Sequence, residues 1–155
     1  MGTIIVGIDG SASSDSALDW ALAEARLRSS SLRAIHAWQT PTIGDTGLAV
    51  PGFPAAGLPL EQREELRSNY RRAAQSLLDE VLQRARKEPF LELDAKIVEG
   101  SAAEILIAAA EDAELLVLGS RGRGAVAGLL LGSVSQHCVQ HALSPVVILP
   151  AVPEE

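Results

Sequence analysis

Between Gly119 and Ser133 the chain reads GSRGRGAVAGLLLGS, which gathers five of its 13 glycines into one short stretch. Directly before it stands the apolar run Leu115-Leu116-Val117-Leu118. A buried strand that ends in glycines and then enters a helix is a way for α/β proteins to hold phosphate. Glycine lets backbone N–H groups converge with no side chain between them, and the next helix offers its positive N-terminal end. The chemistry implied is capture of a nucleotide, or of another phosphorylated molecule, by backbone donors.

The rest of the composition narrows this. The net charge is −7 and aromatics are only 3% of the 155 residues. Nothing offsets phosphate repulsion over a wide surface, and stacking platforms for bases are missing, so nucleic acid is not the expected partner. An anionic ligand must be held by local donors. Hydrophobic residues at 47% and charged residues at 21% suffice for one full core, so residues 1–155 read as a single domain. Cys138 is the one cysteine, which excludes an intrachain disulfide. The N-terminus enters a strand with no basic leader, and Val6 stands where a myristoylation signal needs Ser or Thr. No apolar run reaches about 18 residues, so no membrane span is expected and a cytoplasmic protein is the default.

Alternating elements must position the glycine loop. Thr3–Asp9 reads as a buried strand, broken at Gly10-Ser11. Ser13 or Ser14 is placed to cap a helix reaching about Arg28. Leu32–Trp38 is a second strand. Residues 39–59 hold four of the eight prolines together with Gly44, Gly47, Gly52 and Gly57. So long an irregular connection is expected to serve as a mobile lid on the ligand. A helix follows over 60–87, with Leu66, Tyr70, Ala73, Leu77 and Val81 as its apolar stripe and Pro89 as its stop. Residues 91–99 alternate apolar and charged, as a peripheral strand does. Ser101-x-x-Glu104 resembles a capping box for a helix to about Asp112. Leu115–Leu118 is the fourth strand, a helix spans about 133–142, and Val146–Leu149 is the last strand. Strands alternating with helices imply a parallel sheet covered on both faces.

Two nucleotide motifs fail on inspection. Gly119 and Gly124 have Walker spacing, but Ala125 stands where lysine is required. Gly122, Gly124 and Ala127 match a dinucleotide pattern, yet they follow the fourth strand, and no acidic residue ends the next one to hold a ribose. The arrangement Gly119-x2-Gly122-x9-Gly132-Ser133 instead resembles the ATP-binding signature of the universal stress protein family. VGIDGS at 6–11, IHAW at 35–38, EGSAAEIL at 99–106 and SPVVILP at 144–150 extend the resemblance over nearly the whole chain. Many members carry proline where Ala102 follows Ser101, a departure that touches the turn more than the ligand.

The resemblance implies an α/β fold: a flavodoxin-like, adenine-nucleotide-hydrolase-like open parallel sheet of order 3-2-1-4-5 with helices on both faces. ATP would lie at the carboxyl ends of strands 1 and 4, with Mg or Mn bound through its phosphates. Carried over by position, Gly119, Ser120, Arg121, Gly122, Gly132 and Ser133 would line the phosphates, with Val134 and Ser135 at the helix start. Asp9 would sit by the ribose and adenine, the backbone of Ala37 would meet the adenine edge, and Gly7 and Gly100 would leave it room. The function implied is ATP binding by a stress-response regulator. Homodimerisation would run through Val146 to Val152, whose uncharged strand edge needs covering. Two other readings stay open: a slow ATP-hydrolysing or nucleotidyl-transferring enzyme, and an interaction module without nucleotide.

Individual residues also keep simpler readings. Asp9 serves equally as a helix cap or turn former, Ser101 as a cap, and Arg121 and Arg123 as solvated loop charges. His36 fits a satisfied core histidine, and Cys138 a small buried side chain. His137 and His141 have the i, i+4 spacing of a zinc pair but no visible third ligand. No catalytic set of Ser, His and Asp, and no carboxylate pair, suggests itself.

Overall fold

The computed structural model describes residues 1–40, 59–89, 91–122 and 131–150. Nine elements follow in order: β1 (Thr3–Gly7), α1 (Ala12–Arg28), β2 (Ser31–Trp38), α2 (Leu60–Ala85), β3 (Leu93–Glu99), α3 (Ala102–Ala109), β4 (Leu115–Gly119), α4 (Ser133–His141) and β5 (Val146–Leu149). All four strand pairings are parallel, and the order is β3-β2-β1-β4-β5. This is the order the resemblance implied.

The strand sequences explain their places. β1 and β4 carry no polar side chain beyond Thr3, as strands covered on both faces do. Ile4, Ile5, Val6, Leu116 and Val117 are buried, and Ile4 to Val6 pair with Leu115 to Val117. β3 mixes charge with apolar residues and lies at one edge, as its alternation predicts. Its Asp94 takes a hydrogen bond from Arg33 of β2 at 2.9 Å.

The helices divide two and two. Ala17, Leu18, Ala21 and Ala25 of α1 share one core with Val81 and Ala85 of α2. Leu106 of α3 and Cys138 of α4 share the core on the opposite face. From β1 the chain winds one way to β2 and β3, then returns past β1 to β4 and β5. Right-handed crossovers require the helices to change face when that direction reverses.

Several boundaries and stripes differ from expectation. Ser11, not Ser13 or Ser14, caps α1, its hydroxyl accepting from the Ser14 N–H at 3.2 Å. Gly10, at φ 81°, turns the chain earlier than the serine cluster suggests. In α2 the buried residues are Ala74, Leu78, Val81 and Ala85, while Tyr70 and Ala73 are exposed. The first turns of this long helix bury little, so its inward face is set where it meets the sheet. It ends at Ala85, before Pro89. Ser101 stands at the N-cap of α3, but its side chain makes no capping bond. Gly100, at φ 143°, sets that entry instead. The expected lid, and Val152 of the expected dimer strand, lie mostly or wholly outside the described residues.

The carboxyl end of α1 carries the chain's one strained cap among the described residues. Ser29 adopts a left-handed conformation at φ 54° and ψ 37°. Next to it the buried Ser30 hydroxyl donates to Glu114 at 2.7 Å, and Arg28 donates to the same carboxylate at 2.7 Å. The Ser30 bond first, and Arg28 second, hold the Glu114 carboxyl below its ordinary range. A β-carbon in the left-handed region costs about 1 kcal/mol, which glycine avoids. Ser29→Gly is therefore expected to stabilise the fold by about 1 kcal/mol, read as a higher urea midpoint with unchanged m-value. A lower midpoint would show that the serine side chain stabilises this turn.

Candidate functional site

β1 and β4 lie side by side, yet their following segments leave toward opposite faces: α1 to one side, α4 to the other. A crevice opens between them at the carboxyl edge of the sheet, the switch point where open α/β sheets bind ligands. A cavity of about 320 Å³ occupies it. Its polar wall comes from the β1–α1 turn and the start of α4: Asp9, Ser11, Ser14, Arg121, Gly122, Gly132, Ser133 and Ser135. Its apolar wall comes from Ile8, Ile35, Ala37, Ala102, Leu106, Leu118 and Val134.

Of the residues expected at the site, Gly7, Asp9, Ala37, Gly119, Arg121, Gly122, Gly132, Ser133, Val134 and Ser135 line this cavity. Gly100 and Ser120 are not among its lining residues. Gly100 ends β3, its N–H donating to the Trp38 carbonyl at 2.9 Å. Ser120 is buried beneath the loop and holds it together through its backbone. Its carbonyl accepts from the Gly132 N–H at 2.6 Å and from the Ser135 hydroxyl at 3.1 Å. The two ends of the glycine loop are thus pinned to each other. Arg123 lies outside the described residues.

The glycines have different jobs. At Gly119 a β-carbon would stand 2.6 Å from the backbone carbon of Ser13 and 2.8 Å from the Ser14 nitrogen. β4 can end against the first turn of α1 only because position 119 has no side chain. At Gly7 the space for a β-carbon is held by Leu118 and Leu106, 2.7 and 3.0 Å away. At Gly122 it would meet the Asp9 carboxylate at 2.7 Å. At Gly132 the nearest atoms are 3.5 Å off, ordinary contact.

Asp9 takes part in the turn: its Oδ1 accepts from the Ser11 N–H at 2.9 Å, and its own N–H reaches the Ser14 hydroxyl at 3.3 Å. The turn role weighed for this residue is present, and its carboxylate also borders the cavity. His36 is satisfied, its Nδ1 lying 2.6 Å from the Ile8 carbonyl, which makes that nitrogen the donor. This bond fixes the strand next to the cavity mouth.

The start of α4 has no side-chain cap, Gly132 standing at the N-cap. The first N–H groups of a helix lack intrahelical acceptors, and here they belong to residues that border the cavity. The positive end of the helix adds to their attraction for anionic oxygen. Beneath it Cys138 is fully buried, and burial pushes its thiol up to about 11. Burial thus favours the neutral thiol over the thiolate. The His137 and His141 rings stack at 4.4 Å on the outer side of the helix. No group of three or more metal-binding side chains occurs among the described residues. No described helix is long and apolar enough to cross a membrane.

Two features were missed from sequence. Ser11 and Ser14 border the cavity, although the sequence suggests only a strand break at Ser11 and a helix cap at Ser14. The apolar wall of Ile35, Leu106 and Leu118 was read only as core. The cluster SASS directly after an acidic strand end was the available signal for the first.

The model of the universal stress protein family matches residues 1–150. A universal stress protein of Mycolicibacterium smegmatis is 34% identical over 146 residues, covering 94% of this chain and 47% of that one. The chain spans about half the length of the curated relatives it matches. Among solved structures, the universal stress protein UspA from Lactobacillus plantarum superposes with a TM-score of 0.77 at 20% identity, covering 96% of this chain and 97% of that one. A universal stress protein solved in complex with cAMP gives 0.66 at 26% identity, covering 97% and 98%.

The close contact at Gly119 makes a test of the site's construction. Gly119→Ala must displace backbone, not a flexible side-chain end, and overpacking of that kind costs about 1–3 kcal/mol. The variant is expected to lose stability in that range, by chemical denaturation, where Gly132→Ala loses less. Equal losses would mean that the α1–β4 contact is not the tight one.

Proposed function

The chain belongs to the universal stress protein family, and from that premise we propose that it binds ATP in the crevice between β1 and β4 and acts as a nucleotide-responsive regulator in the stress response. The observation that carries the reading is the two-sided cavity. Gly122, Gly132 and Ser133 stand at the uncapped start of α4, where backbone donors suit phosphate. Ile35, Leu106 and Leu118 form an apolar slot suited to a flat base, and Asp9 lies where a ribose hydroxyl needs an acceptor. A volume of about 320 Å³ is in the range of small-ligand sites. The cAMP complex of a similar protein supports an adenine nucleotide as the ligand class. Mg or Mn would reach the site bound to the phosphates, with the Ser133 hydroxyl beside them.

Gly122→Glu places bulk and negative charge beside the start of α4, where phosphate is to bind. ATP affinity in calorimetry is expected to fall at least tenfold, with the circular dichroism spectrum unchanged. Unchanged affinity would remove phosphate from this part of the cavity.

We also propose a homodimer across β5. Among the described residues its one strand partner is β4, and the edge of Val146-Val147-Ile148-Leu149 carries no charge to deter pairing. Pairing about a two-fold axis would satisfy that edge in both copies. Light scattering at micromolar concentration is expected to give twice the mass of one chain, and the mass of a single chain would contradict the dimer.

A further inference from the structure

One buried hydroxyl at the crevice faces neither the cavity nor the solvent. Ser13 is 2% exposed and does not cap α1. It is bound to the loop after β4 instead, 108 residues away in sequence. Its Oγ donates to the Arg121 carbonyl at 2.5 Å, and the Arg121 N–H approaches the same oxygen at 3.3 Å. The Ser11 hydroxyl donates to that carbonyl as well, at 3.2 Å. Ser11 is itself held through its N–H by Asp9. The first peptide units of the glycine loop are therefore built onto the first turn of α1.

We propose that Ser13 is a positioning residue for the ligand: its hydroxyl, with that of Ser11, fixes the Arg121–Gly122 peptide unit before phosphate arrives. The carbonyl of that unit is the group held by both serines, and the nitrogen at its other end is the Gly122 N–H. A peptide unit is planar, so fixing its oxygen fixes the direction of that N–H. Gly122 has no side chain to anchor it, and glycine is the residue with most backbone freedom to lose on binding. Ordering the loop in advance removes that loss from the binding step. Gly119 belongs to the same device, since its missing β-carbon is what lets β4 come close enough for Ser13 to reach the loop. Ser13 is not itself among the residues that line the cavity, so its effect must pass through the loop residues it holds.

The inference rests on the ATP reading above and sharpens it, because the latch acts on the phosphate side alone. Adenosine, which has the base and ribose but no phosphate, should not sense it. The experiment is calorimetry with ATP and with adenosine on wild type, Ser13→Ala and the near-isosteric Ser13→Cys, with thermal unfolding of each. Loss of a buried hydrogen-bond donor predicts about a tenfold weaker affinity for ATP in Ser13→Ala, a smaller loss in Ser13→Cys, and adenosine affinity unchanged. Hydrogen exchange of the Gly122 amide in ligand-free Ser13→Ala is expected to quicken while the core strands stay protected. Equal losses for ATP and adenosine, or no loss for either, would overturn the positioning role and leave the ATP reading standing. Wild type that binds neither compound would overturn both.

Discussion

The crevice exists because β1 and β4 pair in parallel at the middle of the sheet and then part. Their hydrogen-bonded register puts the two strand ends next to each other, while the helices that follow must lie on opposite faces. The two helix starts, the acidic strand end and the glycine loop all collect there because the strands do. The extreme burial of β1 and β4 makes this the least adjustable part of the molecule, so the site is built on its stiffest element.

A second constraint refines the first. Two backbones, the end of β4 and the first turn of α1, come closer than a β-carbon would permit. That closeness is what converts two serines at the start of α1, Ser11 and Ser13, into ligatures for a distant loop. Serines in a first turn ordinarily satisfy the helix's own N–H groups. Here Ser11 does so and still donates to Arg121, while Ser13 is wholly given to the loop. The opposite arrangement holds at α4, whose start has no side-chain cap. One helix start is used to hold the loop, and the other remains available to an anion.

The strands could be read from the chain because their signals are local: short apolar or alternating runs in strict alternation with helical segments. The order 3-2-1-4-5 came from the resemblance and not from periodicity. The errors fall where tertiary contact decides. The expected α2 stripe differs at Tyr70 and Ala73, which are exposed where Ala74 and Leu78 are buried: the face that packs on the sheet is turned by one position, which a periodic pattern alone does not fix. The cap of α1 was placed two residues late because Gly10 bends the chain first. Gly100 and Ser120 also have structural roles that the motif does not announce: one follows the end of β3, and the other holds the glycine loop through its carbonyl. The role of Ser13 had no sequence signal beyond the cluster itself, since its partner lies more than a hundred residues away.

The central claim is that the crevice is an adenine-nucleotide site. Its most direct test uses the protein as purified, without added ligand: denature it, and identify the released small molecules by mass spectrometry. The account predicts an adenine nucleotide in the released fraction, ATP foremost, or its stoichiometric uptake when ATP is supplied before denaturation. A preparation that releases no nucleotide and takes up none would contradict it.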